Sequence, residues 1–464
     1  MPLHFGTPGF RMSGMRGLVR SARSATPLPW QANLVTWLDS DDATGADGAA
    51  VASWVDRING ITAVQATGGL QPVTKTGMLG GHRAMRFAGQ VPYMTIPTPG
   101  AMKTAIDSQN YTILIVAKKV SAGQNGGVLF GAGVNTNGLL YFLDGTNVGR
   151  YNQGMLPYAG TDLVVQGSAH SNAWSGIASN AVYEQVYVQG MSVATIAGTA
   201  IAGGANTFTI GASSAAALKS NADIYAILVW NRTLTPKEYL QATKWAFDRY
   251  AQPYPWASAS RILAFDGDSI TSGYRSSLPQ YAMPYRVATA LGLPFGTWCN
   301  LGVGGMHAQN MDAVAASRVD HLTGDTGKPV LIAAMCWANA AVQTPGQGRT
   351  PAQIYGDLTA YLTNRRAVSA QVKTLLSTST DLDTGIYPTP GGTRAGYNSL
   401  WDTYWSGSHP LLDGYAATHL NTSIGTVGAL AANPSLFNAD KIHPVDGGYA
   451  QLASVYQAAI SAVP

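Results

Sequence analysis

Ser269 follows Arg261-Ile-Leu-Ala-Phe-Asp-Gly-Asp, in which the apolar run from Ile262 to Phe265 stops at small, turn-forming residues. The pattern predicts a short buried parallel strand with Ser269 at its carboxyl end. Ligands of open α/β sheets bind at that end. A serine hydroxyl is almost un-ionised at neutral pH, so a nucleophilic serine needs a base to take its proton. The chain has eight histidines, and His443 is the best placed, in Asp440-Lys-Ile-His443-Pro444. From three residues upstream, the Asp440 carboxylate can accept a hydrogen bond from the imidazole Nδ1 and leave Nε2 facing the serine. His307, His321, His409 and His419 lack this arrangement with a downstream Pro and Gly.

A tetrahedral oxyanion also needs hydrogen-bond donors. The expected ones are the backbone N–H of Ser269, the N–H of Gly305 in Asn300-Leu-Gly-Val-Gly-Gly305, and the side-chain amide of Asn339 in Trp337-Ala-Asn339-Ala340. Glycine at 305 permits close backbone approach. Trp337 and Met306 are the expected lining of the acyl pocket.

These residues must be held by elements, and the chain from Arg261 onward has the required rhythm. Strands are expected from the apolar run 262–265 up to Ser269 and around 295–303, 330–336 and 372–377, with helices around 281–291, 311–322, 352–366 and 449–461 between and after them. Alternation of this kind indicates a parallel sheet with crossover helices. The region 31–250 reads differently, as short strands such as Tyr111–Ala117, Leu139–Leu143 and Glu184–Gln189 separated by turn residues and without intervening helices. This pattern predicts a β-sandwich or jelly roll. It closes on a strand over Asp223–Arg232, after which Thr235-Pro-Lys-Glu238 opens a helix to about Tyr250 with an N-cap and an acid at N3. Residues 251–260, rich in Pro, Ala and Ser, form the expected linker. Residues 1–30 read as a flexible or attachment arm.

Composition bounds the partners. Charged residues make up 11% of the 464 positions, against about 25% in an average soluble protein, and the formal net charge is only +4. Without a sustained basic stripe, nucleic-acid binding has no support. No apolar run has transmembrane length, so membrane insertion is not expected. The arginines at 11, 16, 20 and 23 are followed by no continuous apolar segment, so a secretory signal peptide is not expected. Cys299 and Cys336 lie in apolar runs and are expected as buried free thiols.

Two resemblances follow from these residues. Gly267-Asp-Ser-Ile270, Asn300 to Gly305 and Asp440-Lys-Ile-His443-Pro444, in order, resemble the SGNH (GDSL-like) hydrolases across 261–464. That resemblance implies a flavodoxin-like three-layer fold and metal-free cleavage of esters, commonly acetyl esters on glycans. It implies Ser269, Asp440 and His443 as the triad, with Ser269, Gly305 and Asn339 in the oxyanion hole. The family's Gly-x-Asn-Asp appears here as Trp337-Ala-Asn339-Ala340, retaining only the asparagine. Upstream, Trp37-Leu-Asp39, Trp54-Val-Asp56-Arg57 and Ala226 to Glu238 resemble laminin-G-like, concanavalin-A-like jelly rolls. Some of these bind carbohydrate and others are structural. Trp174, Tyr151 and Tyr158 are candidate sugar-stacking aromatics.

The combined expectation is an all-β sandwich followed by an α/β esterase domain. It would remove O-acetyl groups from a polysaccharide without a cofactor, in an extracellular or virion-associated setting such as a phage tail. Homo-oligomerisation or virion assembly would be compatible with it. The alternatives are a glycan- or receptor-binding protein with a vestigial hydrolase fold, and a lipid esterase or thioesterase.

Overall fold

The computed structural model describes residues 29–89, 91–120, 127–132, 139–143, 147–150, 154–158, 162–171, 183–197, 208–213, 219–341, 348–381, 390–407 and 410–464. Tyr151, Trp174, His409 and nearly all of the expected N-terminal arm lie outside them. Among the described residues no helix is long and apolar enough to cross a membrane.

The first half of the chain forms two antiparallel sheets of eight strands each. In spatial order one sheet runs Met191–Ala197, Tyr183–Val188, Val164–Ser171, Tyr111–Lys119, Ala222–Trp230, Ala84–Phe87 and Val73–Lys75, with Leu34–Asp39 also paired to Ala222–Trp230. The other is built around Leu139–Leu143, Val128–Ala132, Phe208–Ile210 and Met94–Ile96. Ile113 and Ile115 of the first sheet and Phe130 and Tyr141 of the second share one apolar core. The absence of helices expected here does not hold. Gly100–Asp107 is helical because Met102, Ala105 and Ile106 fall on one face and are buried.

The closing helix, Pro236–Arg249, starts at a complete capping box between Thr235 and Glu238. Its last residue reaches back to the first strand, where Arg249 Nη2 lies 2.8 Å from Asp39 Oδ2. Arg57 joins the same buried carboxylate at 2.6 Å. The Asp39, Trp54 and Arg57 of the sequence pattern therefore clasp the sandwich, with the Trp54 indole N–H donating to the Asp39 carbonyl.

The second half forms a five-stranded parallel sheet from Ile262–Gly267, Trp298–Asn300, Val330–Met335, Val372–Ser377 and Gly414–Ala416. Numbered in chain order, its strands lie 2-1-3-4-5, the flavodoxin-like order. Alternate residues of the first strand face opposite layers. Leu263 and Phe265 join a cluster with Met283, Val287, Leu452 and Tyr456. Ile262 and Ala264 join one with Met311, Ala315, Leu358 and Trp401. Burial on both faces explains why this strand reads as a continuous apolar run rather than an alternation. Beneath its end, Asp266 accepts from Arg318 Nη2 at 2.6 Å and from the Tyr361 hydroxyl at 2.7 Å, all buried.

The sandwich and the parallel sheet are packed together. Met191, Leu240 and Trp256 belong to the same apolar cluster as the parallel strands. Ser192 Oγ donates to the Asn300 carbonyl at 2.9 Å. Both cysteines are buried free thiols, as their apolar runs predict.

Candidate active site

Ser269 opens a four-residue helix, Ser269–Ser272, at the end of the first parallel strand. Two constraints fix the turn. A side chain at Gly267 would place its Cβ 2.1 Å from the Met335 carbonyl oxygen, so the neighbouring strand can approach only a glycine. Asp268 then caps the helix, its Oδ1 accepting from the Ile270 N–H at 2.9 Å. Burial pushes the Asp268 carboxyl up to about 7, against hydrogen bonds from backbone N–H groups that pull it down.

His443 is supplied from the other end of the chain by a closed loop. The Asn438 N–H donates to the His443 carbonyl at 2.8 Å, and the Lys441 N–H donates to the Asn438 carbonyl at 2.8 Å. Lys441 takes a left-handed backbone, φ 58°. Within this loop Asp440 Oδ1 accepts from the N–H groups of Ile442 and His443, each at 3.0 Å. Its other oxygen, Oδ2, lies 2.9 Å from His443 Nδ1. The opposite ring nitrogen, Nε2, lies 2.8 Å from Ser269 Oγ. A carboxylate facing Nδ1 holds the proton there, so Nε2 accepts from the serine hydroxyl.

Electrostatics agree with that tautomer. Burial pushes the His443 imidazole below its ordinary range, and the Asp440 carboxylate only partly offsets this. Burial would raise the Asp440 carboxyl, yet the N–H groups of His443 and Ile442 and the imidazole together hold it lower than usual. The pair is therefore a neutral base beside an ionised carboxylate at neutral pH. Such a base can receive the serine proton.

Two residues around the histidine escaped the sequence reading. Tyr274 sets its ring edge-on to His443, centroids 4.8 Å apart, and the Tyr449 hydroxyl donates to the Tyr274 carbonyl at 2.6 Å. Arg275 stacks over Tyr274 at 4.7 Å and stands 3.6 Å from Asp440 Oδ2. Tyr274 ends the Gly-Asp-Ser stretch and could have been weighed for its position. Nothing in the sequence marks Arg275.

Gly305 takes a left-handed backbone, φ 80°, and is exposed on the loop after the second strand. The Asn339 amide donates to the Met306 carbonyl at 3.0 Å, tying the loops after the second and third strands. An Asn amide has two N–H donors, so one remains for a ligand. The expected pocket lining is corrected. Trp337 is 0% and Met306 1% exposed. The indole turns into the core and stacks on Tyr397, while Met306 serves through its carbonyl, which also accepts from the Cys336 thiol. Tyr158, half-buried, is packed between Lys119 and Phe295 and is not a free stacking face.

Scans against family models and curated proteins give no match. Several solved structures are similar. A GDSL-like lipase from Parabacteroides merdae is 15% identical at TM-score 0.34, over 44% of this chain and 96% of its own. A catalytic mutant of an acetylxylan esterase from Geobacillus stearothermophilus is 16% identical at TM-score 0.33, over 43% of this chain and 94% of its own. A sialidase from Trypanosoma rangeli is 18% identical at TM-score 0.29, over 46% of this chain and 33% of its own.

Proposed function

We propose that this chain is a serine esterase of the SGNH type that removes small acyl groups, O-acetyl foremost, from a carbohydrate. The observation that carries the reading is the hydrogen-bonded chain Asp440–His443–Ser269, ending on a partly exposed hydroxyl at the carboxyl end of a parallel strand. In the first step Ser269 Oγ attacks the ester carbonyl as His443 Nε2 takes its proton. Asp440 holds the tautomer and stabilises the imidazolium. The N–H groups of Ser269 and Gly305 and the Asn339 amide receive the oxyanion. The imidazolium protonates the departing alcohol. A water, deprotonated by the same imidazole, then releases the acid and regenerates Ser269.

The burial of Trp337 and Met306 favours a small acyl group over a lipid chain, because a wide apolar mouth at those residues is what a lipase would need. We assign residues 31–250 to a concanavalin-A-like, laminin-G-like sandwich that holds the polymer or mounts the enzyme on a larger assembly, and 261–464 to the hydrolase. The low charge and the mixed architecture fit an extracellular or virion-borne protein acting on a surface polysaccharide.

Hydrolysis of p-nitrophenyl acetate and of longer acyl esters by the wild type and Ser269→Ala tests this reading. p-Nitrophenol release that is fastest on the acetate, falls as the acyl chain lengthens and vanishes in the variant is expected. Silence of the wild type on synthetic esters and acetylated glycans alike would instead favour a binding protein with a vestigial hydrolase fold.

A further inference from the structure

Beside the triad lies a cleft of about 460 Å³ with two walls of different origin. One wall is the outermost strand of the sandwich, through Thr195 and Ile196, and the other is the loop after Ser269, through Tyr274, Arg275, Ser276 and Leu278. Its size falls within the roughly 300–1,000 Å³ of small-molecule sites. Tyr274, in edge contact with His443, joins the cleft to the catalytic imidazole.

The cleft has a definite chemistry. The hydroxyls of Ser272 and Ser276 donate to the carbonyls of Ser269 and Gly273, at 2.8 and 2.7 Å. The Ser277 hydroxyl donates to Asp446 Oδ2 at 2.5 Å. A hydroxyl has one proton and two lone pairs, so each of these three keeps acceptor capacity for a ligand. Thr195, 9% exposed, has a buried hydroxyl with no partner on the opposite wall. Hydroxyl acceptors, the Arg275 guanidinium as donor, an aromatic ring and the apolar patches of Ile196 and Leu278 suit a ligand with many hydroxyls, which both donate and accept, on an apolar ring frame. An acyl chain would leave the Thr195 hydroxyl unmatched and the serine acceptors unused.

We propose that this cleft binds the alcohol portion of the ester, a sugar ring, so that the sandwich contributes directly to the substrate site. The inference rests on the esterase reading and adds to it the place where the glycan lies. The loop wall is already fixed, by Ser277 on Asp446 and by Tyr274 on Tyr449, so the glycan meets a preformed surface.

The test compares an acetate ester whose alcohol is too small to use the cleft, vinyl acetate, with a methyl glucoside that carries a single O-acetyl group and keeps its other hydroxyls free. Ile196→Trp fills the cleft from the sandwich, and Leu278→Trp fills it from the loop, so one variant remains if the other fails to fold. Both are expected to keep vinyl acetate turnover within about twofold and to lose about tenfold or more in kcat/KM on the sugar acetate, chiefly through KM. An unchanged ratio between the two esters in both variants would overturn the cleft assignment while leaving the esterase intact. A wild type inert on both esters would overturn the esterase reading, and the cleft assignment with it.

Discussion

Among the described residues of the parallel-sheet half, two Asp–His–hydroxyl chains stand out, and they differ in setting. In the first, Asp440, His443 and Ser269 are joined at 2.9 and 2.8 Å. In the second, His419 Nε2 lies 3.0 Å from Asp402 Oδ2, and its Nδ1 lies 2.9 Å from Thr378 Oγ1, just past the fourth strand. Distances alone do not separate them. Surroundings do. Thr378 is fully buried, and its hydroxyl is engaged by the Ala416 carbonyl and the His419 N–H. Ser269 is partly exposed and begins a helix at the carboxyl end of the first parallel strand, where its hydroxyl has only His443 as a side-chain partner among the described residues. A catalytic chain thus needs an open face for a carbonyl and donors for its oxyanion as well as a relay of hydrogen bonds.

Substitution should break the likeness between the two chains. Ser269→Ala is expected to lower kcat on p-nitrophenyl acetate by about a thousandfold or more, since the members of a triad act as a unit. Asp440→Asn should follow, with a loss of about a thousand- to ten-thousandfold from the wrong tautomer, measured in the same assay. Asn339→Ala should cost about a hundred- to a thousandfold in kcat with little change in KM, the signature of a donor used in the transition state. Thr378→Val should leave turnover within about threefold. By leaving buried polar partners unmatched it should cost about 1–3 kcal/mol in urea unfolding. A large activity loss in that variant without unfolding would contradict the distinction drawn between the chains.

Acidity sharpens the same comparison. His443 must be neutral to accept the serine proton, and burial lowers its pKa below the ordinary histidine range. Activity should therefore persist as pH falls through about 6.5 and decline only at lower pH, where the folded imidazole protonates. A kcat/KM profile whose acid limb lies above about 6.5 would refute that electrostatic account.

Much of the candidate catalytic chain was legible because its parts are local. An apolar run cut short by Gly-Asp-Ser marks a strand end, and Asp440 and His443 belong to one short loop. The fifth strand, Gly414–Ala416, was not legible, since three residues give no periodicity and its pairing with Val372–Ser377 is tertiary. The pocket was misplaced for a similar reason. Trp337 follows the third strand, but whether its ring faces solvent or the core depends on Tyr397, some sixty residues later in the chain. Arg275 and Tyr274 acquire meaning only when the loop of His443 folds back against them. The clasp of Asp39 by Arg57 and Arg249 shows the converse, a sequence pattern whose residues hold the sandwich together.

The most direct measurement is covalent trapping of the intact protein with a fluorophosphonate, read by peptide mass spectrometry. The account predicts one adduct per chain, on Ser269, absent from His443→Ala and unaffected by Thr378→Val. No adduct on Ser269, or an adduct that persists when His443 is removed, would contradict the assignment of Ser269 as the activated nucleophile.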